Sequence, residues 1–127
     1  MVMNLGLGLG LSTVGHASEA APSNTSLPVI SGTSQVGETL TCSPGGWSGY
    51  PTPTFDYQWR IDAANVGTNQ NTYVPVTGDV AGVPSCVVTA TNTEGSAAAT
   101  SADYSVVTAA PGGAVFDQTV FDPTVFA

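Results

Sequence analysis

The sequence predicts an all-β fold, a sandwich of short strands, and three observations carry the prediction. Residues 38–42, 55–61 and 85–90 alternate between apolar and polar side chains with a period of two, the pattern of half-buried strands. Turn clusters punctuate the chain at short intervals: Ser43-Pro44-Gly45-Gly46, Ser48-Gly49-Tyr50-Pro51-Thr52-Pro53, Asp62-Ala63-Ala64-Asn65, Thr77-Gly78-Asp79 and Asn92-Thr93-Glu94-Gly95. That rhythm belongs to an all-β domain. The first strand ends on Cys42, the second carries Trp59 and the third carries Cys86.

Three parts follow along the 127 residues. Residues 1–26 read as an extended arm with a linker. From Leu5 to Leu11 leucine alternates strictly with glycine, so an extended chain places Leu5, Leu7, Leu9 and Leu11 on one face and bare backbone on the other. Glycine weakens a strand standing alone, so this strip suits an arm lying flat against another protein. Ala20 to Ser26 reads as a polar linker. Residues 27–107 form the sandwich. Residues 108–127 form a tail: after Pro111-Gly112-Gly113, the unit Val-Phe-Asp-x-Thr occurs twice and a third Val-Phe closes the chain. The tail has no obvious core to fill with Phe116, Phe121 and Phe126. They read as aromatic anchors for pockets on a partner, the alternative being a tail folded back on its own domain.

Within the sandwich, period-two alternation assigns the faces. Leu40 and Cys42 point to the core, with Thr39 and Thr41 opposite; Tyr57, Trp59 and Ile61 point in, with Gln58 and Arg60 opposite; Cys86, Val88 and Ala90 point in, with Val87 and Thr89 opposite. The predicted core therefore centres on Leu40, Tyr57, Trp59 and Val88. Residues 92–95 read as the hairpin joining the last two strands. A cysteine, a later tryptophan and a second cysteine make up the pin of an immunoglobulin-like Greek-key sandwich, with one cysteine from each sheet. That order suggests a Cys42–Cys86 disulfide and an oxidising environment. The alternative is a pair of buried thiols facing each other.

Residues 27–102 resemble the bacterial and bacteriophage immunoglobulin-like domain of secreted, surface and virion proteins. The resemblance runs through Leu27-Pro28-Val29-Ile30-Ser31-Gly32-Thr33, Val36-Gly37-Glu38-Thr39-Leu40-Thr41-Cys42 and Pro44-Gly45-Gly46-Trp47-Ser48-Gly49. It continues in Tyr57-Gln58-Trp59-Arg60, Asn71-Thr72-Tyr73-Val74-Pro75 and the run from Cys86 to Ser96. It implies a presentation module without catalytic residues, of a kind that decorates phage heads, tails or fibres. One position departs: the tyrosine usual two residues before the second cysteine is Pro84. The stabilisation of the tyrosine corner must then come from elsewhere.

Composition narrows the function classes. Charged residues make up 8% of the chain, against ~25% in ordinary soluble domains. Lysine is absent, Arg60 is the sole strong cation, and the net charge is −8. Nucleic acid and anionic membrane are poor partners for such a surface, because both are bound through Lys and Arg. Residues 1–20 superficially resemble a secretory signal, but they lack a basic start, and Gly6, Gly8 and Gly10 interrupt the apolar run. The expectation is an uncleaved arm. No run reaches the ~18 apolar residues of a membrane span.

No catalytic constellation is legible, and no metal or cofactor is expected. His16 is the only histidine and lies in the arm, so neither a Ser-His-Asp triad nor a histidine-rich metal site can form. Asp62 and Asp79 offer at most a weak Ca²⁺ site; solvated turn aspartates are the simpler reading. Gly6 to Gly10 lacks the strand and helix of a dinucleotide fingerprint. Trp47 and Tyr50 are the residues available to stack on a sugar, though Trp47 beside Pro44-Gly45-Gly46 also suits a packed sandwich edge. The expected function is therefore non-enzymatic: a phage virion protein decorating the capsid exterior. Its expected partners are the major capsid protein or other virion subunits, neighbouring copies of itself, and a host-surface glycan. The alternative is a secreted surface-adhesion or carbohydrate-binding module.

Overall fold

The computed structural model describes residues 18–111. The arm leucines, His16 and the tail phenylalanines lie outside the described residues. Within them the fold is all-β, with antiparallel sheets, one 3₁₀ turn at Thr77–Asp79 and no α-helix. Nine strands follow in order: β1 (Ala20–Ser26), β2 (Val29–Gly32), β3 (Leu40–Ser43), β4 (Gly46–Tyr50), β5 (Thr54–Ile61), β6 (Ala64–Val66), β7 (Thr72–Tyr73), β8 (Pro84–Asn92) and β9 (Gly95–Thr100). They make a four-stranded sheet β6-β5-β8-β9, a three-stranded sheet β2-β3-β7 and a two-stranded ribbon β1-β4.

The predicted faces hold. Leu40, Cys42, Trp59, Cys86, Val88 and Ala90 are fully buried, Ile61 nearly so, and Tyr57 packs partly buried against the same cluster. The longest ladder is β5 with β8, in a register that sets Tyr57 opposite Val88 and Trp59 opposite Cys86. Ile30, Leu40 and Cys42 close the core from the three-stranded sheet. Asn92 to Gly95 is the expected hairpin, with Asn92 paired to Gly95 and the Asn92 side chain accepting the Glu94 N–H at 2.8 Å.

Two expectations are corrected. Ala20–Ser26 is not a linker: it is strand β1, paired with β4 through Asn24 opposite Trp47 and Ala20 opposite Tyr50. Ser48 to Tyr50, expected as turn, belongs to β4. Backbone groups drive both outcomes, because a ladder needs donors and acceptors in register rather than apolar side chains. β1 and β2 form one run opposite β3 and β4, broken where Leu27-Pro28 passes Pro44-Gly45. Pro28 has no N–H to contribute to a ladder. Gly45 adopts φ 80°, and a Cβ there would collide with the Ser26 carbonyl and the Leu27 backbone. Beyond this break the ribbon lies along the four-stranded sheet: Ala20 accepts the Asn92 side-chain amide at 2.8 Å, and Ala21 sits against Gly95.

After β9 the chain stays attached to the body. Ser101, Tyr104 and Val107 donate to the carbonyls of Cys86, Pro84 and Gly82 at 2.8, 2.9 and 2.9 Å. Thr108 then pairs in parallel with Gln35, through Val36 N–H to Thr108 O at 2.9 Å and Thr108 N–H to Ser34 O at 3.0 Å. The described chain therefore enters and leaves at opposite poles. Ala20 lies beside the Asn92 end of β8, and Val107 beside Gly82, ahead of its start. The nine-residue strand β8 separates those levels, roughly 30 Å.

Candidate functional site: two poles and a pinned core

The core pin is built from three elements. β3 brings Cys42 and β8 brings Cys86, both at 0% exposure. A side-chain hydrogen bond links the two thiols. That hydrogen bond holds the Cys42 thiol below its ordinary value against the opposing effect of burial. The same bond and then burial push Cys86 far upward. Removing one proton from the pair is thus assisted and removing the second strongly opposed. The structure has the pair as thiols without an S–S bond. Trp59 from β5 lies alongside at 0% exposure, stacked on Tyr73 with centroids 5.9 Å apart. Its indole N–H donates to Gln70 O at 3.0 Å.

The segment before β7 ties the two sheets together. The Asn69 side chain accepts the Tyr57 N–H at 2.7 Å, and Asn71 O accepts the Cys42 N–H at 2.7 Å. The position two before Cys86 is buried Pro84, as the sequence states. Two other tyrosines tie the ends. Tyr104 donates its hydroxyl to Gly32 O at 2.8 Å, and Tyr73 donates to Asp79 Oδ2 at 2.6 Å.

Asp79 is 8% exposed and also accepts the Val76 N–H at 2.9 Å. Asp62 Oδ1 accepts the Val83 N–H at 3.0 Å. Both carboxylates thus serve as internal acceptors for the loops around them. Among the described residues no three His, Cys, Asp or Glu side chains gather as metal ligands do.

Burial first, then the hydrogen bond to Asp79 and its charge, push the Tyr73 hydroxyl up to about 12. An unfolded tyrosine titrates near ~10. Between those values the unfolded chain has released the proton and the folded chain still holds it, so stability falls as pH rises across this window. Tyr73 is partly exposed, which limits its share of the fall to about 1–2 kcal/mol. Chemical denaturation at stepped alkaline pH should show that decline in the wild type, and Tyr73→Phe should flatten it. An equal decline in both proteins would remove Tyr73 as its source.

The two residues expected to stack on a ligand differ in availability. Trp47 is half-buried, donates its indole N–H to Pro44 O at 2.7 Å and leans on Phe55 at 6.1 Å and 49°. It is an edge-packing residue. Tyr50 is 47% exposed at the pole where the described chain begins, beside Pro51, whose carbonyl accepts the Asn92 side-chain amide at 2.8 Å. This pole is otherwise polar, formed by Thr52, Thr93 and Glu94.

The opposite pole is apolar. Val74, Val76, Val80 and Val106 are 45%, 57%, 40% and 50% exposed. All lie on the segments joined at this end by Gly37 N–H to Pro75 O at 3.1 Å and Ala81 N–H to Val107 O at 2.8 Å. Sequence reading missed this patch, because single valines in separate loops carry no periodic signal; only the tertiary fold gathers them. No known family model and no curated protein matches the chain.

Proposed function

We propose that this chain is a non-enzymatic display protein: an immunoglobulin-like Greek-key domain held on a larger assembly by its terminal segments. The assembly we favour is a bacteriophage virion, with the domain decorating the capsid exterior. A neck, tail or fibre position is the nearest variant. The observation that carries this reading is the contrast between a compact, sparsely charged body and the adhesive strips that flank it. The Leu/Gly arm precedes the body, and the Val-Phe-Asp repeat follows it. The entry and exit of the described chain at opposite poles are consistent with contacts on two different subunits. The pinned core at Cys42, Trp59 and Cys86, and the sequence resemblance, support the domain type. The proposed partners are capsid or other virion subunits and neighbouring copies, without cofactor or metal.

Deletion of residues 1–17 or of residues 114–127 removes a strip and leaves every described strand intact. Each deletion is expected to abolish incorporation into particles while the far-UV spectrum and melting transition persist. Normal incorporation of both would sink the arm hypothesis.

The second reading is a secreted adhesion module, and exposed Tyr50 is the observation that favours it. It requires a mature N-terminus near residues 17–21 and glycan binding lost in Tyr50→Ala. Intact mass of the native protein separates the readings, since a decoration arm retains Leu5 to Leu11.

A further inference from the structure

We propose that in the free protein the apolar pole formed by Val76, Val80 and Val106 seats the chain's own C-terminal segment, through the phenylalanines of its Val-Phe-Asp repeat. This goes beyond the display function and does not depend on the virion assignment.

Four observations meet here. The pole carries several half-exposed valines, whereas the opposite pole exposes Tyr50 among polar residues. The loop presenting Val76 and Val80 is rigid by construction: buried Asp79 accepts from Tyr73 and from the Val76 N–H, and Gly82 N–H returns to Asp79 O at 2.9 Å. A pre-ordered surface loses little entropy on being covered. The described chain reaches Pro111 only three residues beyond Thr108, which is paired at this pole. Phe116 follows five residues after Pro111, a flexible reach of about 12 Å. Finally, the segment supplies apolar side chains that can cover the valines, three phenylalanines each preceded by a valine.

Tethering makes the self-contact favourable. A link this short presents the tail at an effective concentration in the millimolar range, so even a weak apolar contact is populated. Charge opposes rather than drives it: the segment carries Asp117 and Asp122, and Glu38, Asp62 and Asp103 lie on or next to the segments hydrogen-bonded at this pole. Added salt screens that repulsion, so the seated population should rise with ionic strength. Seating also gives the phenylalanines a resting place from which a deeper pocket on a partner would draw them.

The test compares the full chain with full-length F116S/F121S/F126S, whose substitutions lie outside every described strand. The readouts are valine methyl spectra by NMR and sedimentation over a wide concentration range. The expected result is ring-current shifts at Val76, Val80 and Val106 in the wild type at every concentration. Those shifts should be absent in the variant, with unchanged methyls at Val88 in the core. Full-length V76T/V80T should weaken the seat from the other side. Identical pole methyls in wild type and variant would overturn the proposal. Shifts that vanish on dilution together with a dimer would assign the pole to a second copy and overturn it equally. Particle incorporation is measured separately, so failure of the seat leaves the display function standing.

Discussion

Trp59→Ala should lower the stability of the domain by about 3–5 kcal/mol, the range for removing a fully buried large aromatic. Trp59 is 0% exposed and is the largest side chain buried to that degree. Three separate losses combine. The cavity opens beside Cys42 and Cys86, in the cluster to which both sheets contribute. Tyr73 loses its stacking partner at 5.9 Å, and Tyr73 in turn holds Asp79 and the 3₁₀ turn. Gln70 O loses its indole donor. Domains of this size have ~5–15 kcal/mol to spare, so the variant should be partly unfolded or melt far below the wild type. Trp59→Phe should cost less, because the ring contact survives and only volume and the Gln70 bond go. Urea unfolding of both variants measures this. A loss below about 1 kcal/mol for Trp59→Ala would mean that the core is not organised around the tryptophan.

The second large effect concerns the sulfur pair. If Cys42 and Cys86 are oxidised in the native protein, reduction or Cys42→Ala/Cys86→Ala should cost about 4 kcal/mol. Closing a loop of roughly 45 residues removes that much chain entropy from the unfolded state. Both sulfurs are at 0% exposure, so reductant should act only through opening of the domain, and reduction should track the unfolding rate. Intact mass gives the redox state, and denaturation with and without reductant gives the energy. Equal stability under both conditions, with two alkylatable thiols after unfolding, would establish the thiol pair instead. Such a result would place the protein in a reducing compartment and weaken the secreted reading.

Much of the fold was legible in the residues. Alternation at Leu40/Cys42, Tyr57/Trp59/Ile61 and Cys86/Val88/Ala90 assigned the core faces, because burial on one side of a pleated strand leaves a period-two trace. The hairpin at Asn92 to Gly95 was legible for a local reason: asparagine and glycine supply the backbone geometry of a tight turn. β1 left no such trace. Its residues, Ala20 to Ser26, are small and include no large apolar side chain, and their pairing depends on a partner strand twenty or more positions away. The roles of Asp62 and Asp79 were also hidden, since a turn aspartate that accepts internal N–H groups looks the same in sequence as a solvated one. Trp47 was legible as an aromatic beside a turn, but its donation to Pro44 O and its contact with Phe55 were not.

By itself the sequence determined the all-β class and the residues Leu40, Cys42, Trp59, Cys86 and Val88 that fill the core. Those features are written in local composition and periodicity, which act over a few residues. Only the tertiary structure decided that β1 joins the body, that Tyr73 and Tyr104 tie its ends where Pro84 stands, and that four scattered valines share one pole. Each of these depends on which distant segments meet, and meetings between distant segments are set by the closed hydrogen-bond ladders and the shared core rather than by any local stretch of chain.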